Sequence, residues 1–132
     1  KISTDIWLDP CKNSGSYYDQ FPGKKEYCEI LEGIDFLEYE GEPDVICQNP
    51  PYSVLDAWIQ KNIELNPRVI SMLIGVGNLT ARRLEWLYDA GYGVTKLKML
   101  KVFKWYGMSY IVQLEKGKPS ILEIDRNVWR EN

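Results

Sequence analysis

Three short apolar runs in this chain stop against proline or glycine, and a helical pattern follows two of them. Ile6-Trp7-Leu8 runs into Asp9-Pro10, Asp44-Val45-Ile46-Cys47 into Asn49-Pro50-Pro51, and Val69–Ile74 into Gly75-Val76-Gly77. Proline has no N–H to give to a ladder, so the first two runs end as buried strands end. Ser53-Val54-Leu55-Asp56 has the form of a capping box, and Leu55, Trp58, Ile59 and Ile63 follow at helical spacing until Asn66-Pro67. Thr80 is placed to cap a second helix with Ala81, Leu84, Leu87 and Tyr88 on its buried face and Gly91 at its stop. Lys25–Ile30 reads as a further strand, and Ser16–Phe21 as one or two helical turns. Val94–Phe103 and Tyr110–Leu114 read as a hairpin, and Ile121–Ile124 as a short last strand. Strands alternating with helices predict an α/β fold, a mostly parallel sheet with helices on its faces and a C-terminal antiparallel hairpin.

The 132 residues are enough for one domain, and 45% hydrophobic with 27% charged residues is the balance of a folded chain. Histidine is absent. That excludes Ser-His-Asp and Cys-His triads, imidazole general bases and His-ligated zinc, and no metal site is expected. Cys11, Cys28 and Cys47 form neither a C-x-x-C pair nor a disulfide framework, so a reducing cytoplasm is the expected compartment. No apolar run approaches the ~18 residues that would span a bilayer, and no membrane partner is expected. The chain opens on Lys1 and directly into an apolar segment, the form expected of a fragment. Net charge is −3, but residues 1–66 carry −8 and residues 67–132 carry +5. A polyanion would meet the second half, and the first half suits something cationic.

In parallel sheets, ligands bind beyond the carboxyl ends of the strands. The segments there are Asp9–Ser16, Glu29–Phe36 and Asn49–Ser53. In Asn49-Pro50-Pro51-Tyr52, two prolines fix φ and remove two donors, so the loop offers carbonyl oxygens without competing N–H groups. Asn49 adds a neutral side-chain acceptor, and Tyr52 an aromatic face for a planar group. Acceptors around an NH₂ group favour the geometry in which its lone pair attacks an electrophile.

This loop resembles the Asn-Pro-Pro-Tyr motif of the S-adenosylmethionine-dependent amino methyltransferases, best known from N6-adenine DNA methyltransferases. The resemblance implies a Rossmann-like methyltransferase sheet and S-adenosylmethionine as cofactor. Asp9-Pro10-Cys11-Lys12-Asn13-Ser14-Gly15-Ser16 is similar to the family's cofactor loop, an acidic-Pro start followed by a Gly-x-Gly turn. Gly15 matches one glycine, and Asn13 stands at the other, as the side chain most tolerant of left-handed backbone after glycine. Glu29 matches the acidic residue that takes the ribose hydroxyls. Asp35 matches the acceptor for the adenine amine, and Phe36 the residue packed against that ring.

The order of these motifs excludes the family's permuted arrangements and leaves no room for an inserted target-recognition domain, so residues 1–132 are expected to form a single catalytic domain. The family's segment before the first strand is expected to be missing from residues 1–132. A parallel crossover needs about a dozen residues or more, which Glu29 to Asp35 does not provide, so the sheet is expected to be trimmed in its first half.

The implied reaction is direct methyl transfer to the exocyclic N6 amine of adenine in DNA. Asn49 and the Pro50 carbonyl would accept from the amine, Pro51 would stiffen the loop, and Tyr52 would stack. A base in duplex DNA would first have to flip out, at a cost of a few kcal/mol. Arg82, Arg83, Lys96, Lys98, Lys101 and Lys104, with Trp105 and Tyr106 among them, have the residue types that track a phosphate backbone and stack a base. Solvated surface and a lysine-protected edge strand explain the same lysines equally well. A separate specificity subunit or a homodimer is the protein partner considered. Two alternatives stay open: an amino methyltransferase acting on RNA or on a protein glutamine, and a non-catalytic cofactor-binding subunit.

Overall fold

A computed structural model describes residues 5–10, 24–28, 35–100 and 109–127. Six strands form one sheet in the order β2-β1-β3-β4-β6-β5, where β1 is Ile6–Asp9, β2 Lys24–Tyr27, β3 Val45–Gln48, β4 Val69–Gly75, β5 Tyr92–Leu100 and β6 Ser109–Lys116. The strands β2, β1, β3 and β4 are mutually parallel. The last two are antiparallel, and β6 lies between β4 and β5. Helices α1 (Leu55–Leu65) and α2 (Ala81–Asp89) provide the crossovers around β4.

Alternation along β4 decides which face the helices cover. Ile70, Met72 and Ile74 are buried, while Val69, Ser71, Leu73 and Gly75 on the other face are half-buried. The buried row packs with Leu55 and Ile59 of α1, Leu84 and Leu87 of α2, and Val94, Val112 and Leu114 of the hairpin. At about 1.5–3 kcal/mol per fully buried aliphatic side chain, this cluster supplies much of the driving force for folding. A second, smaller cluster joins Leu8, Cys28, Phe36, Ile46 and Trp58 under the ends of β1 and β3.

The helix boundaries follow local chemistry. Thr80 caps α2 by accepting from the Arg83 N–H at 3.3 Å, and Gly91, at φ +98°, turns the chain into β5. Asn66 closes α1 in the left-handed conformation at φ 53°. The capping box at the start of α1 does not form. Pro51 holds an extended backbone, so the chain makes a 3-10 turn over Tyr52–Val54 and the helix starts at Leu55 without a side-chain cap. Asp56 turns instead to α2.

The expected final strand is also absent. Residues 118–127 form a strap across the β5 end and α2, in which the Ile121 N–H donates to the Val94 carbonyl at 2.8 Å and the Tyr88 hydroxyl to the Leu122 carbonyl at 2.5 Å. Gly93 permits this, because a Cβ there would fall 2.0 Å from the Lys118 carbonyl oxygen. No helix among the described residues is long and apolar enough to cross a membrane.

Candidate active site

The chain lays β2 on one side of β1 and β3 on the other, so the topological switch point falls between β1 and β3. Ligands of open α/β sheets bind in that crevice, at the carboxyl ends of the strands. Leu8 is level with Ile46, and one residue further on the Asp9 carboxylate lies near Cys47. The described starts of two sequence-identified segments, Asp9-Pro10 and Asn49-Pro50, therefore stand at the ends of neighbouring strands on the same edge.

Asp9, the last residue of β1, is 1% exposed, and Pro10 is buried. The Asp9 carbonyl accepts from the Cys28 N–H at 2.9 Å, which ties the end of β1 to that of β2. Burial and the nearby Asp9 carboxylate push the Cys47 thiol up to about 12, although a hydrogen bond with Ser71 opposes the shift. Cys47 is thus a neutral thiol rather than a nucleophile. Asp35 begins the short turn Phe36–Glu38 by accepting from the Leu37 N–H at 3.0 Å. Phe36 is buried, and its ring packs on Trp58 with centroids 4.6 Å apart.

Asn49, one residue beyond β3, is exposed; Pro50 is buried and Pro51 half-buried. Tyr52 leans back toward the end of β4, where its hydroxyl accepts from the Gly75 N–H at 3.1 Å. The ring is held at its tip and remains 53% exposed. A Cβ at Gly75 would lie 3.2 Å from that hydroxyl oxygen, so any side chain there would press the Tyr52 hydroxyl back by a few tenths of an ångström. The result is an exposed amide and a half-open aromatic face, fixed at one sheet edge.

Behind the loop is a polar cluster that the sequence reading missed. Gln48, Trp58 and Asn62 are buried and hydrogen-bonded to one another. The signal was present: Asn62 falls on the same helical stripe as Leu55, Trp58 and Ile59, and Gln48 closes an otherwise apolar strand.

Of the basic residues, Lys98 and Lys96 are exposed on β5. Arg82 and Arg83 are engaged elsewhere, both binding Asp56 at 2.8 and 2.7 Å, and Arg83 also donates to the Asn78 carbonyl. Arg83 above all, with Arg82, holds the Asp56 carboxyl below its ordinary range. These two arginines brace α1 against α2. Asn13, Gly15, Glu29, Lys101, Lys104, Trp105 and Tyr106 lie outside the described residues.

No family model and no curated relative matches the chain. Solved structures do. The magnesium protoporphyrin IX methyltransferase of Synechocystis, with bound S-adenosylmethionine, aligns at TM-score 0.65 and 14% identity over 85% of this chain and 69% of its own. The fold is the Rossmann-like methyltransferase fold. The Mtq2–Trm112 complex of E. cuniculi, responsible for methylation of the eRF1 termination factor, aligns at TM-score 0.63 and 17% identity over 85% of each chain. The precorrin-6y C5,15-methyltransferase of Geobacter metallireducens aligns at TM-score 0.63 and 16% identity, over 88% of this chain and 81% of its own. In the methyltransferase sheet of this chain, the Asn49–Tyr52 loop stands beside the crevice formed by β1 and β3.

Of the two described carboxylates among the sequence-identified residues, Asp9 is buried at the end of β1, and Asp35 keeps one oxygen on the Leu37 N–H.

Proposed function

We propose that this chain is an S-adenosylmethionine-dependent amino methyltransferase, and that its substrate is the exocyclic N6 amine of adenine in DNA. The observation that carries the reading is the position of Asn49-Pro50-Pro51-Tyr52. An acceptor-rich loop with few donors follows β3 beside the switch point of a methyltransferase sheet, and its Tyr52 ring, tied at the hydroxyl to the Gly75 N–H, is left exposed.

Asp9, Pro10, Asn13, Gly15, Glu29, Asp35 and Phe36 are the residues assigned to the cofactor. Phe36 acts from beneath, because its ring is already packed on Trp58. S-adenosylmethionine, when bound, supplies a methyl group activated by a positive sulfur. An amine nitrogen that has taken the methyl is strongly acidic and gives its surplus proton to water, so the chain needs no nucleophile or imidazole base of its own, and an enzyme without histidine suffices. What remains is positioning. The Asn49 side-chain oxygen and the Pro50 carbonyl accept from the two N–H bonds of a planar amine and direct its lone pair. Tyr52 stacks on the ring that carries the amine, and Lys98, Lys101, Lys104, Trp105 and Tyr106 approach the nucleic acid.

A protein glutamine is the second reading. It is favoured by the E. cuniculi complex, which is responsible for methylation of a protein, the eRF1 termination factor, and aligns over 85% of each chain. An amide and an aminopurine present the same flat NH₂ to the loop. On that reading, a partner subunit would supply the recognition surface. Incubation with methyl-labelled cofactor and, in parallel, DNA, RNA and a cell extract separates the readings. N6-methyladenine in digested DNA is the expected product. Label in RNA or protein alone moves the substrate, and cofactor binding without any transfer favours the non-catalytic subunit.

A further inference from the structure

The Asn49–Tyr52 loop is attached to a buried polar cluster whose hydrogen bonds fix more than an apolar contact would. Gln48, the last residue of β3, is 1% exposed and immediately precedes Asn49. Its Oε1 accepts from Trp58 Nε1 at 2.7 Å and from Asn62 Nδ2 at 3.2 Å, while its Nε2 donates to Asn62 Oδ1 at 2.7 Å. Asn62 Nδ2 also donates to the Trp58 carbonyl at 2.9 Å, one turn earlier on α1. An indole N–H can only donate, so Trp58 dictates which end of the Gln48 amide faces it, and Asn62 follows. The three side chains have one mutually consistent arrangement. On its other side, the Trp58 ring packs on Phe36, next to Asp35.

Burying three polar side chains adds little stability compared with an apolar core of the same volume. What such a network supplies is direction. It sets the rotation of residue 48 about the strand axis, and with it the heading of the chain into Asn49. We infer that Gln48, Trp58 and Asn62 are positioning residues for methyl transfer, which fix the amine-binding loop and join it through Phe36 to the cofactor side of the crevice. This rests on the proposed function.

The test replaces the whole network with apolar groups of similar size, Gln48→Leu with Trp58→Phe and Asn62→Leu, so that no buried polar partner is orphaned. Trp58→Phe alone, which keeps an aromatic ring against Phe36 but removes the N–H together with part of the indole's volume, serves if the triple variant does not fold. The expected result is a cooperative melt and a cofactor Kd within threefold of wild type, with kcat lowered at least tenfold. Backbone order parameters at Asn49 and Tyr52 are expected to fall from about 0.85 toward 0.6. A purely structural role would restore kcat along with the melt.

Retention of either kcat within twofold or the wild-type order parameters overturns the inference. If the wild-type protein transfers no methyl group to any amine, the proposed function fails, and the order parameters alone then decide whether the network holds the loop.

Discussion

The two halves of the sheet bury different chemistry. Among the described residues, the buried polar and charged side chains are Asp9, Gln48, Lys61 and Asn62, all before residue 66. From β4 onward the core is Ile70, Met72, Ile74, Leu84, Leu87, Val94, Val112 and Leu114, with Tyr92 sending its hydroxyl to the Pro67 carbonyl at 2.5 Å. Hydrophobic burial is non-directional and sets stability, whereas buried hydrogen bonds specify geometry. The half around β4, β5 and β6 is therefore a scaffold. The half around β1 and β3 gives up apolar area for exact side-chain orientation at the edge where the candidate site lies.

The contrast can be broken by substitution, and the largest effect is expected in the scaffold. Ile70→Ala leaves a cavity in the closed cluster and should cost about 2–5 kcal/mol, read as a lower denaturant midpoint, with little change in kcat while the protein is folded. Asn49→Ala should do the reverse, lowering kcat about 10²–10³-fold by removing one preorganised partner of the reacting group. Its melting temperature should stay close to wild type, because the side chain is exposed. A large melting shift in Asn49→Ala would erase the distinction between the halves.

Gly75→Ala is expected to act more gently, on the boundary between them. Its methyl would crowd the Tyr52 hydroxyl at 3.2 Å and tilt the ring, lowering kcat/KM for the amine several-fold while leaving cofactor affinity unchanged, as measured by steady-state kinetics and calorimetry.

Two smaller effects depend on pH. The Cys47 pKa is raised to about 12, above its unfolded value of about 8.5. Its contribution to stability is thus full below the unfolded value and is lost as pH rises through the folded one. Cys47→Ser, which ionises nowhere in that window, should flatten the decline between about pH 9 and 12 in denaturant titrations. Asp56 has the opposite sign. Its depressed pKa gives stability that is present at neutral pH and lost as pH falls through the carboxylate range, and Asp56→Asn should remove that acid limb with the smallest effect of the series. High salt should shrink it further.

The strand ends were legible because proline and glycine punctuate them. The Asp9-Pro10 and Asn49-Pro50 stops sit where the parallel strands end, and Thr80, Gly91 and Asn66 mark helix ends through local backbone chemistry. What depended on distant partners was not legible. Ser53 and Asp56 fit a capping pattern, yet Asp56 is drawn to Arg82 and Arg83 across 26 and 27 residues, and the backbone fixed by Pro51 delays the helix. The same pairing withdraws two arginines from the basic surface that charge arithmetic had assembled. Ile121–Ile124 has strand-forming side chains, but Ser120 and Tyr88 fasten that segment as a strap. The loop's chemistry could be read from residue types, while the Gln48–Trp58–Asn62 bracing required three side chains from β3 and α1 to be seen together.

The most direct test of the central claim is a crystal structure of the protein with S-adenosylhomocysteine and adenosine. The account predicts the sulfur in the crevice between the carboxyl ends of β1 and β3, with the adenosine amine within hydrogen-bond reach of the Asn49 side chain and the Pro50 carbonyl. Density for either ligand at another face, or an adenosine amine turned away from Asn49, would contradict it.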